Sequence, residues 1–262
     1  MNPILEVKNL TMDFGGLRAL ENLDVAVYEG EIVALIGPNG AGKTTFFNCI
    51  TGIYLPSEGE MVVSPPGKKR KRLNGLKPNQ VTESGLARTF QNIRLFQNMT
   101  VLENVMIGCH CRMSSGIVGA IFRGASTLAE EHRTVDESYA ILEKIGLETY
   151  VNEFAKNLPY GAQRRLEIAR AMATDPFMLL LDEPAAGMNA QETRELDDLI
   201  VKIRGEEKIS ILLIEHDMKL VMSLSDRIYV VDYGKKIAQG SPEEIKSNPA
   251  VIKAYLGEEI DA

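Results

Sequence analysis

The chain has 262 residues, 45% hydrophobic and 25% charged, so it is long enough to bury a sizeable core without disulfide or metal staples. Its 29 Lys and Arg residues are outnumbered by 36 Asp and Glu residues, and the net charge of −7 argues against a general nucleic-acid binder. Three cysteines, an odd number, argue against a secreted disulfide framework and favour a reducing, cytosolic compartment.

The first ninety residues read as short strands separated by turns. β-Branched runs bounded by glycine or proline predict strands at Ile4–Val7, Val25–Tyr28, Glu31–Ile36 and Glu60–Val63. The apolar runs along the chain are too short to cross a bilayer. The N-terminal segment also lacks the basic and apolar regions of a signal peptide. We therefore expect a globular chain in the cytosol.

The eight residues after the third predicted strand match the phosphate-loop pattern G-x-x-x-x-G-K-[ST]. They are Gly37, Pro38, Asn39, Gly40, Ala41, Gly42, Lys43 and Thr44, followed by Thr45. Glycines allow a tight loop whose N–H groups point at phosphate oxygens, and a helix N-terminus adds positive charge. The pattern predicts that Lys43 reaches the β- and γ-phosphates and that the Thr44 hydroxyl ligates Mg²⁺.

Five consecutive basic residues, 68–72, lie between proline- and glycine-containing segments. Such a run can attract anionic lipid or nucleic acid. We favour a solvated loop or hairpin tip, because adjacent like charges repel one another and resist packing.

The middle of the chain, from Met99 to Gly146, is rich in Leu, Ile, Met, Ala and Glu at helical spacing, which predicts a helical insertion over 92–157. Cys109, His110 and Cys111 do not form a structural zinc pattern, because no second pair of ligands accompanies them. Methionines 99, 106 and 113 recur at seven-residue spacing, typical of a helix core.

After Asn157 helices and strands alternate. Helices are predicted at about Tyr160–Ala173 and Ala190–Ile203, and strands at Met178–Leu181 and Ser210–Ile214. This alternation predicts an α/β core with a mostly parallel sheet covered on both faces. The core would comprise 1–91 and 158–257, followed by a tail, 258–262.

Two of these strands end in polar residues. Asp182 and Glu183 follow the run from Phe177, and His216 follows the next strand. Since ligands bind at the carboxyl ends of parallel strands, Asp182 is placed to bind Mg²⁺ through water, and Glu183 to polarise the water that attacks the γ-phosphate. His216 can bind a γ-phosphate oxygen or that water.

The stretch from Asn157 to Ala171 resembles the signature motif of ABC-transporter ATPases, and the order of motifs fits along essentially the whole chain. The resemblance implies a P-loop NTPase (RecA-like) core with an antiparallel β edge and an inserted helical subdomain. It also implies ATP and Mg²⁺ as ligands. Two such subunits would enclose two ATP molecules head to tail, with Phe14 stacked on adenine. Gln91 would sense Mg²⁺ and the γ-phosphate and relay to a membrane permease.

The resemblance also assigns a surface that reaches the partner's ATP. It comprises Pro159, Tyr160, Gly161 and Ala162, with Asn189 as a further dimer contact. Leu-Ser-Gly-Gly-Gln is usual in this family, so Pro159 lacks the expected hydroxyl. Asn189 stands where an Asp is usual. What remains is the backbone of Gly161 and a helix N-terminus aimed at the anion.

Within this family the chain is most similar to the larger ATPase of bacterial and archaeal branched-chain amino acid importers. The stretches that carry this likeness include Phe14–Leu17, Arg88–Gln91, Arg94–Phe96, Asp182–Gly187, Ile214–Met218 and an insertion around Ser114–Arg133 with Phe122 and Arg123. It implies permease subunits, a secreted solute-binding protein, no nucleic acid, and a peripheral position on the cytoplasmic face of the membrane. A groove near Gln91 would receive a permease helix, and the methionines are an alternative lining for it.

Other functions stay open at this stage. The chain could serve another solute, or be an ABC ATPase outside transport, although it lacks the tandem domains or long coiled coil usual there. A guanine-reading N/T-K-x-D motif is absent, which disfavours a GTPase, and a scaffold would not need both Glu183 and His216. The partner ATPase is an identical chain or a paralogue, and we favour the paralogue.

Overall fold

The computed structural model describes residues 2–112 and 125–256, with no side-chain description for 125–128 and 256. Residues 113–124, which include Met113, Phe122 and Arg123, and the predicted tail 258–262 lie outside the described residues. In the described ranges, no helix combines the length and the apolar composition that a bilayer crossing requires.

The strands form two sheets. Their bounds are β1 Leu5–Phe14, β2 Leu17–Val27, β3 Ile32–Ile36, β4 Glu58–Val63, β5 Lys71–Arg72, β6 Leu86–Arg88, β7 Met178–Asp182, β8 Ser210–Ile214, β9 Arg227–Asp232 and β10 Lys235–Gly240. The larger sheet has the order β10-β9-β3-β8-β7-β6 and is parallel except for the edge strand β10. The smaller sheet, β2-β1-β4-β5, is antiparallel.

The helices follow the strands as an α/β chain requires. Their bounds are α1 Lys43–Ile50, α2 Pro78–Glu83, α3 Val101–Cys109, α4 Ala125–Ile145, α5 Tyr160–Met172, α6 Ala190–Glu206, α7 Met218–Leu224, α8 Pro242–Lys246 and α9 Pro249–Leu256. Short 3₁₀ turns occur at His110–Arg112, Glu148–Tyr150 and Ala155–Asn157. The predicted α/β core with a mostly parallel sheet is confirmed.

The parallel sheet has a separate apolar core on each face, because side chains alternate along a strand. On β3, Ile32, Ala34 and Ile36 join the core formed with α3 to α7, whereas Val33 and Leu35 face α1 and the antiparallel sheet. Both faces of β3 are fully buried, which explains its unbroken apolar run. Helices α3 and α4 pack with α5, although the predicted boundaries at 92 and 157 stay a prediction.

The main errors in the predicted elements lie in the antiparallel sheet. β1 continues to Phe14, seven residues beyond its predicted end. The prediction stopped early because the pairing of β1 with β4 shifts register between Lys8 and Thr11. Asn9 there has a φ of +50°, and the shift breaks the apolar alternation by which a strand is recognised. The basic run lies at the predicted hairpin: residues 68–70 belong to the connection after β4, Lys71 and Arg72 form β5, and all five side chains are exposed.

Candidate functional site

An open cleft of about 510 Å³ lies at the carboxyl end of the parallel sheet and brings together residues from distant parts of the chain. Its lining includes Phe14, Leu17, Arg18, Ala19, Asn39, Gly40, Ala41, Gly42, Lys43, Thr44, Thr45, Gln91, Glu183, His216 and Tyr233. β3, β7 and β8 are adjacent parallel strands, so the segments that follow them meet at one edge. The arrangement is that of a ligand site at strand ends.

The phosphate loop places a cation inside a glycine-rich turn. Gly42 precedes α1 with a φ of +101°, and a Cβ atom there would lie 2.7 Å from the carbonyl oxygen of Ala19, so only glycine fits. Lys43 Nζ donates to the carbonyl oxygens of Gly37 at 2.7 Å and Pro38 at 2.9 Å. Burial lowers the pKa of Lys43, while the nearby charges of Glu183 and Asp182 oppose this shift.

Glu183 is held by Gln91 and His216, two polar residues that the sequence also predicts for this site. Gln91 Nε2 donates to Glu183 Oε2 at 2.7 Å, and His216 Nε2 lies 2.7 Å from Glu183 Oε1. The backbone of Glu183 is left-handed, with a φ of +49°, which is uncommon for a residue with a side chain. Its N–H donates to the carbonyl of Ile214. Tertiary contacts therefore fix this carboxylate at the cleft.

Asp182 occupies a different position from its neighbour. It is buried, does not line the cleft, and pairs with Arg88 Nη2 at 2.6 Å. Arg88 Nη1 also donates to Asn48 Oδ1 at 2.8 Å and to Thr51 Oγ1 at 3.2 Å. Asp182 thus anchors a buried polar network between β7, β6 and the end of α1.

The rim of the cleft carries aromatic residues, one predicted and one missed. Phe14 is 41% exposed and meets Tyr54 edge to face, with ring centroids 5.2 Å apart. Tyr233, which the sequence analysis missed together with Leu17 and Arg18, is 86% exposed in the turn between β9 and β10. An aromatic residue before a turn glycine, Gly234, was the available signal.

The predicted signature residues lie outside this cleft, at the start of α5. Pro159 and Tyr160 are exposed, whereas Gly161 and Ala162 are buried. Tyr160 donates its hydroxyl hydrogen to the carbonyl of Ala186 at 2.9 Å. A Cβ atom on Gly161 would lie 2.8 Å from Glu192 Oε1. The N-terminus of α5 is therefore packed against the loop that follows Glu183.

Asn189 is at the other end of that loop, where it caps α6. Its Oδ1 accepts from the N–H groups of Gln191 at 2.9 Å and Glu192 at 3.1 Å, and Glu192 accepts in return from the N–H of Asn189. This is a capping box, in which Asn serves as well as Asp. The departure from the family's Asp is thus accommodated within the chain.

A buried ion pair that the sequence analysis missed joins α5 to the Gln91 loop. Arg164, 1% exposed, donates to the carbonyls of Phe90 and Gln91 and pairs with Glu167 at 3.1 Å. Glu167 accepts from the N–H groups of Phe90 and Arg94. Burial raises the pKa of Glu167 and Arg164 opposes that shift. An arginine and a glutamate three residues apart are common on helices, so their spacing gave no signal.

Glu215 is a second buried carboxylate that the sequence analysis passed over. It is 3% exposed and accepts from the N–H groups of Ala185, at 2.8 Å, and of His216, at 3.0 Å. The N–H of Asp217 lies at a longer 3.4 Å. Burial raises the pKa of Glu215, and the backbone donors oppose that shift. Its position between an apolar strand and His216 was the only signal in the sequence.

A separate groove of about 330 Å³ runs between α2, α3 and α5. Its lining includes Asn79, Glu83, Arg88, Phe96, Ile107, Cys111 and Arg170. Neither Met99 nor Met106 lines this groove, and Met113 lies outside the described residues. The alternative role of these methionines in a groove near Gln91 stays a prediction. The guanidinium of Arg170 lies 5.7 Å from the Phe96 ring centroid, which gives the groove an aromatic and cationic wall.

Comparisons with known proteins agree with this geometry. The ABC transporter family profile matches residues 20–186, and a profile described as branched-chain amino acid ATP-binding cassette transporter matches residues 235–261. The chain is 50% identical to the high-affinity branched-chain amino acid transport ATP-binding protein LivG of Escherichia coli (strain K12), covering 98% of each chain.

Two further relatives extend the likeness. The branched-chain amino acid transport ATP-binding protein BraF of Pseudomonas aeruginosa is 47% identical over 98% of each chain. A crystal structure of a nucleotide-free ATP-binding cassette from an ABC transporter superimposes with a TM-score of 0.83 at 32% identity, covering 98% of this chain and 100% of the other. The sequence comparisons and the structural comparison therefore agree that the chain is similar to ATP-binding proteins of ABC transporters.

Proposed function

The chain belongs to the ABC transporter family of ATP-binding subunits, and we propose that it energises the import of branched-chain amino acids through a membrane permease. As a member of that family it is an ATPase. The observation that carries the proposal is the cleft itself, which joins the phosphate loop, Gln91, Glu183 and His216 in a chain half identical to transport subunits for these solutes. The aromatic Phe14 at the rim supplies a flat surface for adenine.

ATP hydrolysis follows from charge placement in the cleft. The loop N–H groups, the start of α1 and Lys43 would bind the phosphates, as phosphoryl transfer depends mainly on positioning and electrostatics. Lys43 now donates to carbonyls of Gly37 and Pro38, and these bonds would be exchanged for bonds to phosphate. Lys43→Ala is expected to weaken ATP binding, and unchanged affinity in a nucleotide titration would contradict this assignment.

Glu183 is the proposed general base for the attacking water. Each of its oxygens has one contact, with Gln91 or with His216, and a carboxylate oxygen has a second lone pair that can accept a hydrogen bond from the attacking water. His216 is then placed to stabilise charge on the γ-phosphate. This arrangement makes Gln91 and His216 the residues that orient the base.

The donors around the cleft fit Mg²⁺, which prefers hard oxygen ligands. Thr44 offers a hydroxyl and Gln91 an amide oxygen at the cleft, while the Asp182 carboxylate lies behind them and pairs with Arg88. When bound, the ion would neutralise charge on the phosphates. Thr44 and Gln91 would hold it directly, and we propose that Asp182 acts through water, in keeping with its position outside the lining.

We further propose head-to-tail pairing with a second ATPase subunit, with a paralogue favoured over an identical chain. The start of α5 lies outside its own cleft, and Pro159 and Tyr160 expose a helix N-terminus that attracts anions. The signature residues 159–162 and Asn189 would face the partner's ATP. The permease would occupy the groove lined by Phe96 and Arg170, which places the chain peripherally on the cytoplasmic face of the membrane.

Transport by the purified complex tests the solute. The chain would be isolated from membranes with its associated subunits, reconstituted into vesicles with a solute-binding protein, and assayed for ATP-dependent uptake of labelled leucine, isoleucine and valine. We expect uptake that Lys43→Ala abolishes. ATP-dependent uptake of another solute alone would replace the branched-chain assignment, and failure to copurify any polytopic membrane protein would contradict a role in transport.

A further inference from the structure

We propose that Glu215 is a positioning residue for ATP hydrolysis: its buried carboxylate clasps the loop that carries Glu183 to the loop that carries His216. The inference rests on the proposed roles of Glu183 and His216. Glu215 itself does not line the cleft and touches neither reacting side chain through a hydrogen bond. It acts through the backbone of both loops.

The Glu215 carboxylate links the loops that follow the ends of β7 and β8. Oε1 of Glu215 accepts from the N–H of Ala185, two residues after Glu183, and Oε2 accepts from the N–H of His216. β7 and β8 are adjacent and parallel, and Asp182 is paired with Ile214, so the ladder ends where these loops begin. Beyond that point the only backbone hydrogen bond from one loop to the other strand is that of Glu183 N–H to Ile214. Among the described residues, Glu215 therefore extends the connection past the last ladder pair.

Two features of this position require a bracing contact. The φ of +49° at Glu183 lies in a region that costs free energy for a residue with a Cβ atom, and it persists only when the surroundings fix it. The 2.7 Å contact between Glu183 and His216 also depends on the relative placement of the two loops. A carboxylate 3% exposed to solvent is costly to bury unless its oxygens accept hydrogen bonds, and here both do.

A carboxylate is the side chain that this arrangement needs. Glu215 accepts hydrogen bonds from backbone N–H groups, those of Ala185, His216 and Asp217, so both of its oxygens serve as acceptors. Glutamine keeps the shape but replaces one acceptor with an NH₂ group, which would face an N–H donor. Aspartate keeps both acceptors but is one methylene shorter, so it can reach its own loop and lose Ala185.

The first test compares hydrolysis by the full chain with and without this clasp. Glu215→Gln is expected to lower kcat by about 10- to 100-fold, since a misplacement of about 1 Å can cost that much, with ATP affinity unchanged. The control is Asp226→Asn, which removes a carboxylate that accepts from the N–H of Ile32 at 2.9 Å, at the opposite end of the sheet. We expect it to lower the melting temperature and leave kcat unchanged. Equal kcat for Glu215→Gln and wild type would overturn the proposal.

The second test asks whether Glu215 acts through Glu183. On a Glu183→Gln background, Glu215→Gln should reduce the residual kcat by less than about threefold, because residues that act as a unit are not additive. The same fold loss on both backgrounds would mean a general structural effect and would refute the positioning role. Wild-type hydrolysis by Glu183→Gln alone would instead refute the proposed base, so the two failures are distinguishable.

A variant that keeps the negative charge, Glu215→Asp, keeps the proposal testable if the Glu215→Gln chain does not fold. Glu215→Asp is expected to retain the bonds to its own loop and to show a kcat as low as that of Glu215→Gln. Its melting temperature should stay closer to wild type. A Glu215→Asp chain that is folded and has wild-type kcat would show that the bond to Ala185 is dispensable, and the proposal would fall.

Discussion

The phosphate loop and the signature region, the two segments proposed to contact ATP from opposite subunits, are built in different ways. Lys43 is held by carbonyls five and six residues before it, so the loop is organised by its own sequence. In the signature helix, Arg164 binds carbonyls that lie 73 and 74 residues away. The first region carries a motif that works locally, whereas the second depends on tertiary contacts.

This difference explains how the signature region keeps its place without the usual residues. Pro159 has no hydroxyl, and yet Tyr160 ties the helix start to Ala186, and Asn189 caps α6 beside it. Contacts of α5 with the Gln91 loop and with the loop after Glu183 hold the helix in place. Substitutions in each region test this division.

The largest effect is expected at Glu183, the proposed general base in the cleft that the phosphate loop lines. Glu183→Gln should still bind ATP and should lower hydrolysis by about 10²- to 10⁴-fold, the usual loss for a general base. The measurement is kcat from a steady-state phosphate-release assay, with nucleotide affinity measured in parallel. Near wild-type turnover would show that another group activates the water.

A comparable loss, in stability rather than rate, is expected on the signature side. Arg164→Met removes the charge that directly contacts the buried carboxylate of Glu167 and leaves only the more distant charge of Arg170. It should lower the free energy of unfolding by about 3–5 kcal/mol, measured by denaturant titration.

Two comparisons sharpen the result. The double variant Arg164→Met, Glu167→Met should recover only part of this loss. It removes the buried charge, but the backbone groups of Phe90, Gln91 and Arg94 lose their side-chain partners. Arg133→Met is the matched control, since the pair of Arg133 with Glu137 is solvent-exposed and contributes only about 0.3–0.5 kcal/mol. If Arg164→Met were no more destabilising than Arg133→Met, the buried pair would not organise this region.

A smaller effect is expected at the aromatic rim of the cleft. Phe14→Ala should weaken ATP binding by about 1–3 kcal/mol, the range for stacking of a base on an aromatic side chain, with little change in kcat at saturation. Phe14→Tyr is the control that keeps a ring. Equal affinity for Phe14→Ala and Phe14→Tyr in a fluorescence titration would place adenine elsewhere on the rim, beside Tyr233.

The smallest effect tests the departure at the α6 cap. Asn189→Ala removes the acceptor for two N–H groups and should lower the free energy of unfolding by about 0.5–2 kcal/mol. Asn189→Asp retains the cap and should match wild type in thermal unfolding. A stable Asn189→Ala chain would show that the cap adds nothing, whereas a loss in Asn189→Asp would point to a specific need for the amide.

The parts of the fold that could be predicted are those with strong local patterns. β8 was predicted with its observed bounds, and α5 and β7 to within one residue. β9, β10, α8 and α9 were not predicted; β10 and α8 mix apolar and charged residues, whereas the apolar run of β9 was overlooked. β1 was cut short because its register shift hides the alternation.

The sequence by itself determined the phosphate loop, the acid pair and His216, because each stands at the end of an apolar strand and its spacing carries the chemistry. Only the tertiary structure decided which of two adjacent acids enters the cleft. Asp182 continues the strand and is buried beside Arg88, whereas Glu183 turns left-handed and meets Gln91 and His216. The buried carboxylates Glu167 and Glu215 show the same limit, since each accepts a hydrogen bond from the backbone of a loop distant in the chain, and such a contact leaves no pattern in the sequence.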